Sequence, residues 1–97
     1  MDLRSTFRAE VAARLPPTAY AARFGPAELL VRVDGAALDV TRGGGPADLA
    51  FATGPEIRRV ISGELAADRA IATGVVEVLH GSEDLLDRFA RTFHLAA

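Results

Sequence analysis

From Thr18 to Phe51 apolar and polar residues alternate with a period of two. Tyr20, Ala22 and Phe24 alternate with Ala19, Ala21 and Arg23. Leu29, Val31 and Val33 alternate with Leu30, Arg32 and Asp34, and Leu38 and Val40 with Asp39 and Thr41. Leu49 and Phe51 then alternate with Asp48 and Ala50. Period two sends successive side chains to opposite faces of a strand, so four strands are predicted, with the first-named set inward. Asp34-Gly35 predicts a tight hairpin. Gly25-Pro26 predicts one turn, and Gly43-Gly44-Gly45-Pro46 a second hairpin turn. The strands from Glu28 to Phe51 are therefore expected to be three consecutive antiparallel neighbours.

The period then changes to that of helices. Thr53 and Glu56 have capping-box spacing, and Pro55 suits a first helical turn because it has no N–H to leave unpaired. Ile57, Val60 and Ile61 follow on one face. Ser62-Gly63 interrupts that helix. A second is predicted over Leu65 to Thr73, with Ile71 as its apolar anchor and Gly74 as its left-handed stop. Val75 to Leu79 reads as a fifth strand. Ser82 is placed to cap a last helix, with Glu83 and Asp84 in its first turn. Leu85, Leu86, Phe89 and Phe93 form its apolar face, with Asp87, Arg88 and Arg91 on the wet one. At the other end of the chain, Leu3, Phe7 and Val11 recur every fourth residue. A helix is predicted over residues 2–14, ended by Pro16-Pro17. The expected architecture is α+β: a mostly antiparallel sheet of about five strands with helices packed on one face.

Length and composition narrow the choices. Ninety-seven residues correspond to a single domain over 1–97. Without Cys there is neither a disulfide nor a thiolate metal site, which points to a reducing compartment. A net charge of −2, spread along the chain, does not supply the basic patch that nucleic acid needs, so no nucleic-acid binding is expected of this chain alone. No apolar run is long enough for a membrane span and no signal-peptide pattern opens the chain. The cytoplasm is the expected location.

The candidate chemistry is sparse. His80 and His94 fall at the ends of elements and share no ligand spacing, so no metal is expected. Ser62 and Ser82 lack a nucleophile elbow. The glycine run is followed by a strand and not by G-K-[ST] and a helix, which excludes a phosphate loop. Glu77 and Asp39 are expected to face outward, leaving no carboxylate pair. Arg58 and Arg59 lie on a wet helix face. No catalytic residue and no cofactor is expected, and the chain is not read as an enzyme.

The apolar helix faces remain, and spacing alone cannot separate a packed core from a lipid cavity. Here a resemblance adds to the residues. The order Asp48, Leu49, Phe51, Thr53-Gly54-Pro55, then Gly63, Leu65, Ala70, Gly74, Val76, Val78, Leu86 and Phe93 resembles the sterol carrier protein type 2 (SCP-2) family. In particular it looks like the compact form at the C-terminus of bacterial winged-helix transcriptional regulators. The upstream hairpin, Leu29 to Val40, matches as well. The resemblance implies a domain holding a lipid-like apolar molecule (a lipid, sterol or fatty acyl chain), serving as the sensing part of a regulator. It implies a lining of Phe51, Ile57, Val60, Ile61, Ile71, Val76, Val78, Leu86, Phe89 and Phe93. The alternative is a dimerisation or docking module with a filled core and no ligand.

Physical chemistry sets the terms of that choice. Ligand pockets start near ~300 Å³. Empty apolar volume costs ~24 cal/mol per Å³, so such a pocket would cost about 7 kcal/mol. The whole stability of a small domain is about 5–15 kcal/mol. Either a ligand is retained, a partner such as a second copy plugs the opening, or the core closes.

Overall fold

The computed structural model describes residues 6–94. The order of elements is α1 (Ala9–Ala12), β1 (Thr18–Phe24), β2 (Ala27–Asp34), β3 (Ala37–Arg42), β4 (Leu49–Thr53), α2 (Ile57–Ile61), α3 (Ala67–Ala72), β5 (Val76–His80) and α4 (Glu83–Thr92). The strands form one sheet in the order β3-β2-β1-β4-β5. Three neighbouring pairs are antiparallel, and β1 and β4 are parallel. The inward residues of the alternating pattern meet across strands: Tyr20 faces Val31 and Leu49, and Ala22 faces Leu29 and Phe51. The helices cover that face, so the chain is α+β as its pattern predicts.

The glycine run is not a hairpin turn, and the three strands from Glu28 to Phe51 are not consecutive neighbours. β4 is separated from β3 by both β2 and β1 and pairs with β1 in parallel register, Tyr20 opposite Leu49 and Phe24 opposite Thr53. Parallel pairing needs a crossover rather than a tight turn. Residues 43–47 supply it as a strap over the outer face of the sheet. A Cβ on Gly45 would stand 3.2 Å from Leu30 Cδ2, and one on Gly44 would meet the Glu28 carboxylate. The strap explains why Leu30 is buried although it alternates with the core residues. Asp48 anchors its far end: the Ala19 N–H donates to Asp48 Oδ2 at 2.8 Å and the Asp48 N–H donates to the Ala19 carbonyl at 2.8 Å.

Other expectations are corrected locally. The start of the helix predicted over 2–14 lies outside the described residues. Within them, Thr6 is helical and Ala9–Ala12 forms a separate short helix, with Phe7 and Arg8 between them out of helical conformation. The reason is a competing contact. Phe7 forms an antiparallel bridge with Phe93, the rings 5.7 Å apart, and the Arg8 N–H donates to the Thr92 carbonyl at 2.8 Å. Thr53 is not a helix cap. It ends β4, and its hydroxyl donates to the Val75 carbonyl at 2.8 Å. Ser82 holds the N-cap position of α4 without a side-chain capping bond. α3 begins at Ala67 rather than Leu65, and its buried anchors are Ala67 and Ala70, with Ile71 half-buried.

Candidate functional site

Eight of the ten residues expected to line a cavity are buried together: Phe51, Ile57, Val60, Ile61, Val76, Leu86, Phe89 and Phe93. Ile71 and Val78 are half-buried and pack against that cluster. Sheet, α2, α3 and α4 thus converge on one apolar interior. α4 supplies its floor: Leu86 and Phe89, three residues apart, share one helix face, and Phe93, the extended residue that ends the helix, adds its ring beside Phe89.

The centre of this interior is filled by rings. Phe89 stands 5.2 Å from Tyr20, 5.1 Å from Phe51 and 4.8 Å from Phe93, between ring centres. Phe24 extends the series, 6.2 Å from Phe51. Edge and tilted contacts at these separations add about 0.5–1.5 kcal/mol per pair beyond burial. Phe51, Ile61, Leu86, Phe89 and Phe93 are each 0% exposed. A tunnel wide enough for an acyl chain would also admit a water-sized sphere, so side chains along it would be accessible from within. These five touch only protein. The expected lining residues are therefore together, in a closed packing.

One end of the interior is polar, and sequence reasoning did not find it. Thr18 and Tyr20 share the inward face of β1, while Arg88 and Thr92 are one turn apart on α4. Thr18, Tyr20 and Thr92 are buried. Arg88 was placed on the wet face of its helix by pattern. In the structure it is half-buried, and its Nη1 donates to Thr18 Oγ1 at 2.9 Å. The Thr18 hydroxyl donates to the Pro16 carbonyl at 2.9 Å, and the Thr92 hydroxyl to the Arg88 carbonyl at 2.9 Å. The Tyr20 hydroxyl lies beside the Thr18 and Thr92 side chains, which favour its ionised form. The available signal was the Thr18-x-Tyr20 alternation, which brings two hydroxyls to the inner face.

Burial pushes the Tyr20 phenol above its ordinary value near 10, and its Thr18, Arg88 and Thr92 neighbours only partly offset this. The sign of the linkage follows. Above about pH 10 the unfolded chain releases this proton while the folded one keeps it, so stability should fall as pH rises. With one Tyr, no Cys and no Lys in the chain, the transition is unusually isolated. Tyr20→Phe should flatten the urea-stability profile between pH 9 and about 11; an unchanged slope would contradict the assignment.

Arg88 also reaches an open surface depression of about 250 Å³, lined by Leu15, Asp84, Asp87, Arg88 and Arg91. Arg91 Nη2 and Asp87 Oδ2 pair there at 2.8 Å. Among the described residues, no group of three or more His, Asp or Glu is arranged to hold a metal ion. No described helix is long and apolar enough to cross a membrane.

The arrangement is that of the SCP-2-like fold, as comparison with solved structures shows. A UbiJ-SCP2 ubiquinone synthesis protein superposes with a TM-score of 0.71 at 16% identity, over 91% of this chain and 78% of that one. The palmitated SCP2L2 of Aedes aegypti gives 0.56 at 20% identity, over 97% and 93%. The inverting sec-alkylsulfatase Pisa1 from Pseudomonas sp. gives 0.79 at 17% identity, over 98% of this chain. This chain spans only 16% of the sulfatase's length. At such identities the likeness is one of fold. No protein-family model and no curated protein matches the sequence.

Proposed function

We propose that the domain binds a lipid-like apolar molecule between α4 and the sheet, and that the closed packing is its unliganded state. One observation carries this reading: a continuous apolar interior, bounded by sheet and helices, in a fold that one solved relative displays with palmitate. The closed state fits the cost of empty volume, since an unoccupied cavity of acyl-chain size would consume most of the domain's stability. Opening falls most easily to α2 and α3. They have only five and six residues and no side-chain caps at their N-termini, and the break at Gly63 separates them. Leu65, Ile71, Val75 and Val78 are half-buried around these helices and would meet the ligand first. Binding would gain about 25 cal/mol for each Å² of apolar surface removed from water. In a transcriptional regulator such a domain would be the sensing part. The ligand would then act by favouring the open arrangement over the closed one.

A second reading rests on the same filled interior: a docking or dimerisation module that takes no ligand. Hexadecanoic acid titrated into delipidated protein separates the two. Under the lipid reading, native mass spectrometry shows one bound molecule. Saturation at a hundred times Kd stabilises the fold by about 2.7 kcal/mol, which raises Tm by roughly 10–20 °C for a domain of this size. No bound mass and an unmoved Tm, with a dimer by light scattering, would establish the docking reading instead.

A further inference from the structure

The interior has a polarity of its own. Apolar side chains fill it except at one end, where Thr18, the Tyr20 hydroxyl and Thr92 are buried beside the half-buried Arg88 guanidinium. That same guanidinium lines the open depression. Its surroundings leave its charge available. Asp87 is paired with Arg91 at 2.8 Å, and Asp48 accepts from the Ala19 N–H at 2.8 Å. Asp84 is exposed at the rim in the first turn of α4. Among the described residues, no carboxylate lies within 4.0 Å of Arg88. Its partner is a neutral hydroxyl, Thr18 Oγ1. A half-buried guanidinium that meets only a hydroxyl keeps donors for a planar anion, and carboxylate geometry suits its fork.

We propose that this end is a headgroup site, and that Arg88 selects amphiphiles carrying a carboxylate over neutral ones such as sterols or esters. The depression is open and lined by four charged side chains and Leu15, which suits a headgroup rather than an apolar tail. The carboxylate sits against the guanidinium with the Thr18 hydroxyl beside it. The tail lies between α4 and the sheet and displaces the contacts of Phe93 and Phe89. The proposal rests on the lipid reading above and adds a direction to it: charged end at Arg88, tail toward Phe51.

Three probes and three proteins test it: hexadecanoic acid, its methyl ester and 1-hexadecanol, against the unaltered chain, Arg88→Gln and Arg88→Lys. Kd is read by displacement of a fluorescent fatty-acid analogue. The unaltered chain is expected to favour the acid over the ester and the alcohol by about tenfold or more, as a charge-assisted hydrogen bond does. Arg88→Gln should remove that preference while the ester binds as before. Arg88→Lys should restore part of it. Equal binding of all three probes by the unaltered chain would overturn the headgroup assignment and leave the lipid reading standing, and it needs no variant to fold. An acid preference that survives in Arg88→Gln would overturn the role of Arg88. Failure of every probe to bind the unaltered chain would overturn the lipid reading, and this proposal with it.

Discussion

Phe89→Ala is expected to destabilise the domain by about 3–5 kcal/mol, the range for truncating a fully buried aromatic residue. The upper half of that range applies here. Phe89 is 0% exposed and touches the rings of Tyr20, Phe51 and Phe93, so three partners lose contact at once. Tyr20 and Phe51 belong to adjacent strands of the sheet, and collapse into the gap would have to move a backbone that is hydrogen-bonded on both sides. Thermal unfolding followed by circular dichroism should show Tm lowered by roughly 15–30 °C. Leu79→Ser provides the contrast. That side chain is 50% exposed, and its loss should stay within about 0.5 kcal/mol. A Phe89→Ala protein that melts within a few degrees of the unaltered chain would mean that the interior is loosely packed. The closed state described above would then be untenable.

The second large effect is expected at Gly81, which follows β5. Its φ is +101°, a conformation that side chains with a Cβ rarely adopt. An added Cβ would stand 2.6 Å from the Asp48 carbonyl oxygen and 3.1 Å from Leu49 Cα, both backbone atoms. Neither can yield without shifting the start of β4, where Asp48 is pinned to Ala19. Gly81→Ala should therefore lower stability by about 3 kcal/mol, at the upper end for a strained backbone position. Gly74→Ala isolates the conformational part of this effect. Gly74 also has positive φ, +80°, but an added Cβ would find nothing within 4 Å. Its replacement should cost only about 1 kcal/mol. Urea midpoints of the two variants give the comparison directly. Equal losses would show that the contact with β4 does not matter.

The legible parts of the chain were those governed by local period. Alternation placed Tyr20, Val31, Val33, Leu49 and Phe51 inward, and helical spacing placed Leu86 and Phe89 on one face of α4; Phe93, read as part of that face, is buried just past the helix end in extended conformation. Asp34-Gly35 joins β2 and β3 as the dipeptide suggests. The pairing partner of β4 was not legible, because a glycine run permits both a turn and a strap. The choice between them rests on contacts with Leu30 and Glu28, distant in sequence. Leu30 itself broke the pattern for the same reason. Phe7 was read as one stripe of a helix. Its contact with Phe93, from the far end of the chain, holds it in extended pairing instead. At the candidate site, the resemblance named ten apolar residues that the fold gathers, but neither it nor spacing could reveal whether space is left between them. Nor could it show Arg88 turning inward, because an i,i+4 pattern does not record that Thr18 waits across the interface.

The strap over the outer face also governs how the sheet can assemble. β1, β2 and β3 are neighbours in sequence, so their pairing closes short loops and can form early. β4 reaches its place only after the chain has doubled back across that meander, and its register is then read from β1 rather than from the strand before it. β1 is thus the template shared by both halves: β2 uses one edge, β4 the other. A slip of one residue along β1 would turn both Tyr20 and Phe51 away from α4 at once, so errors in the early meander would be inherited by every strand added later.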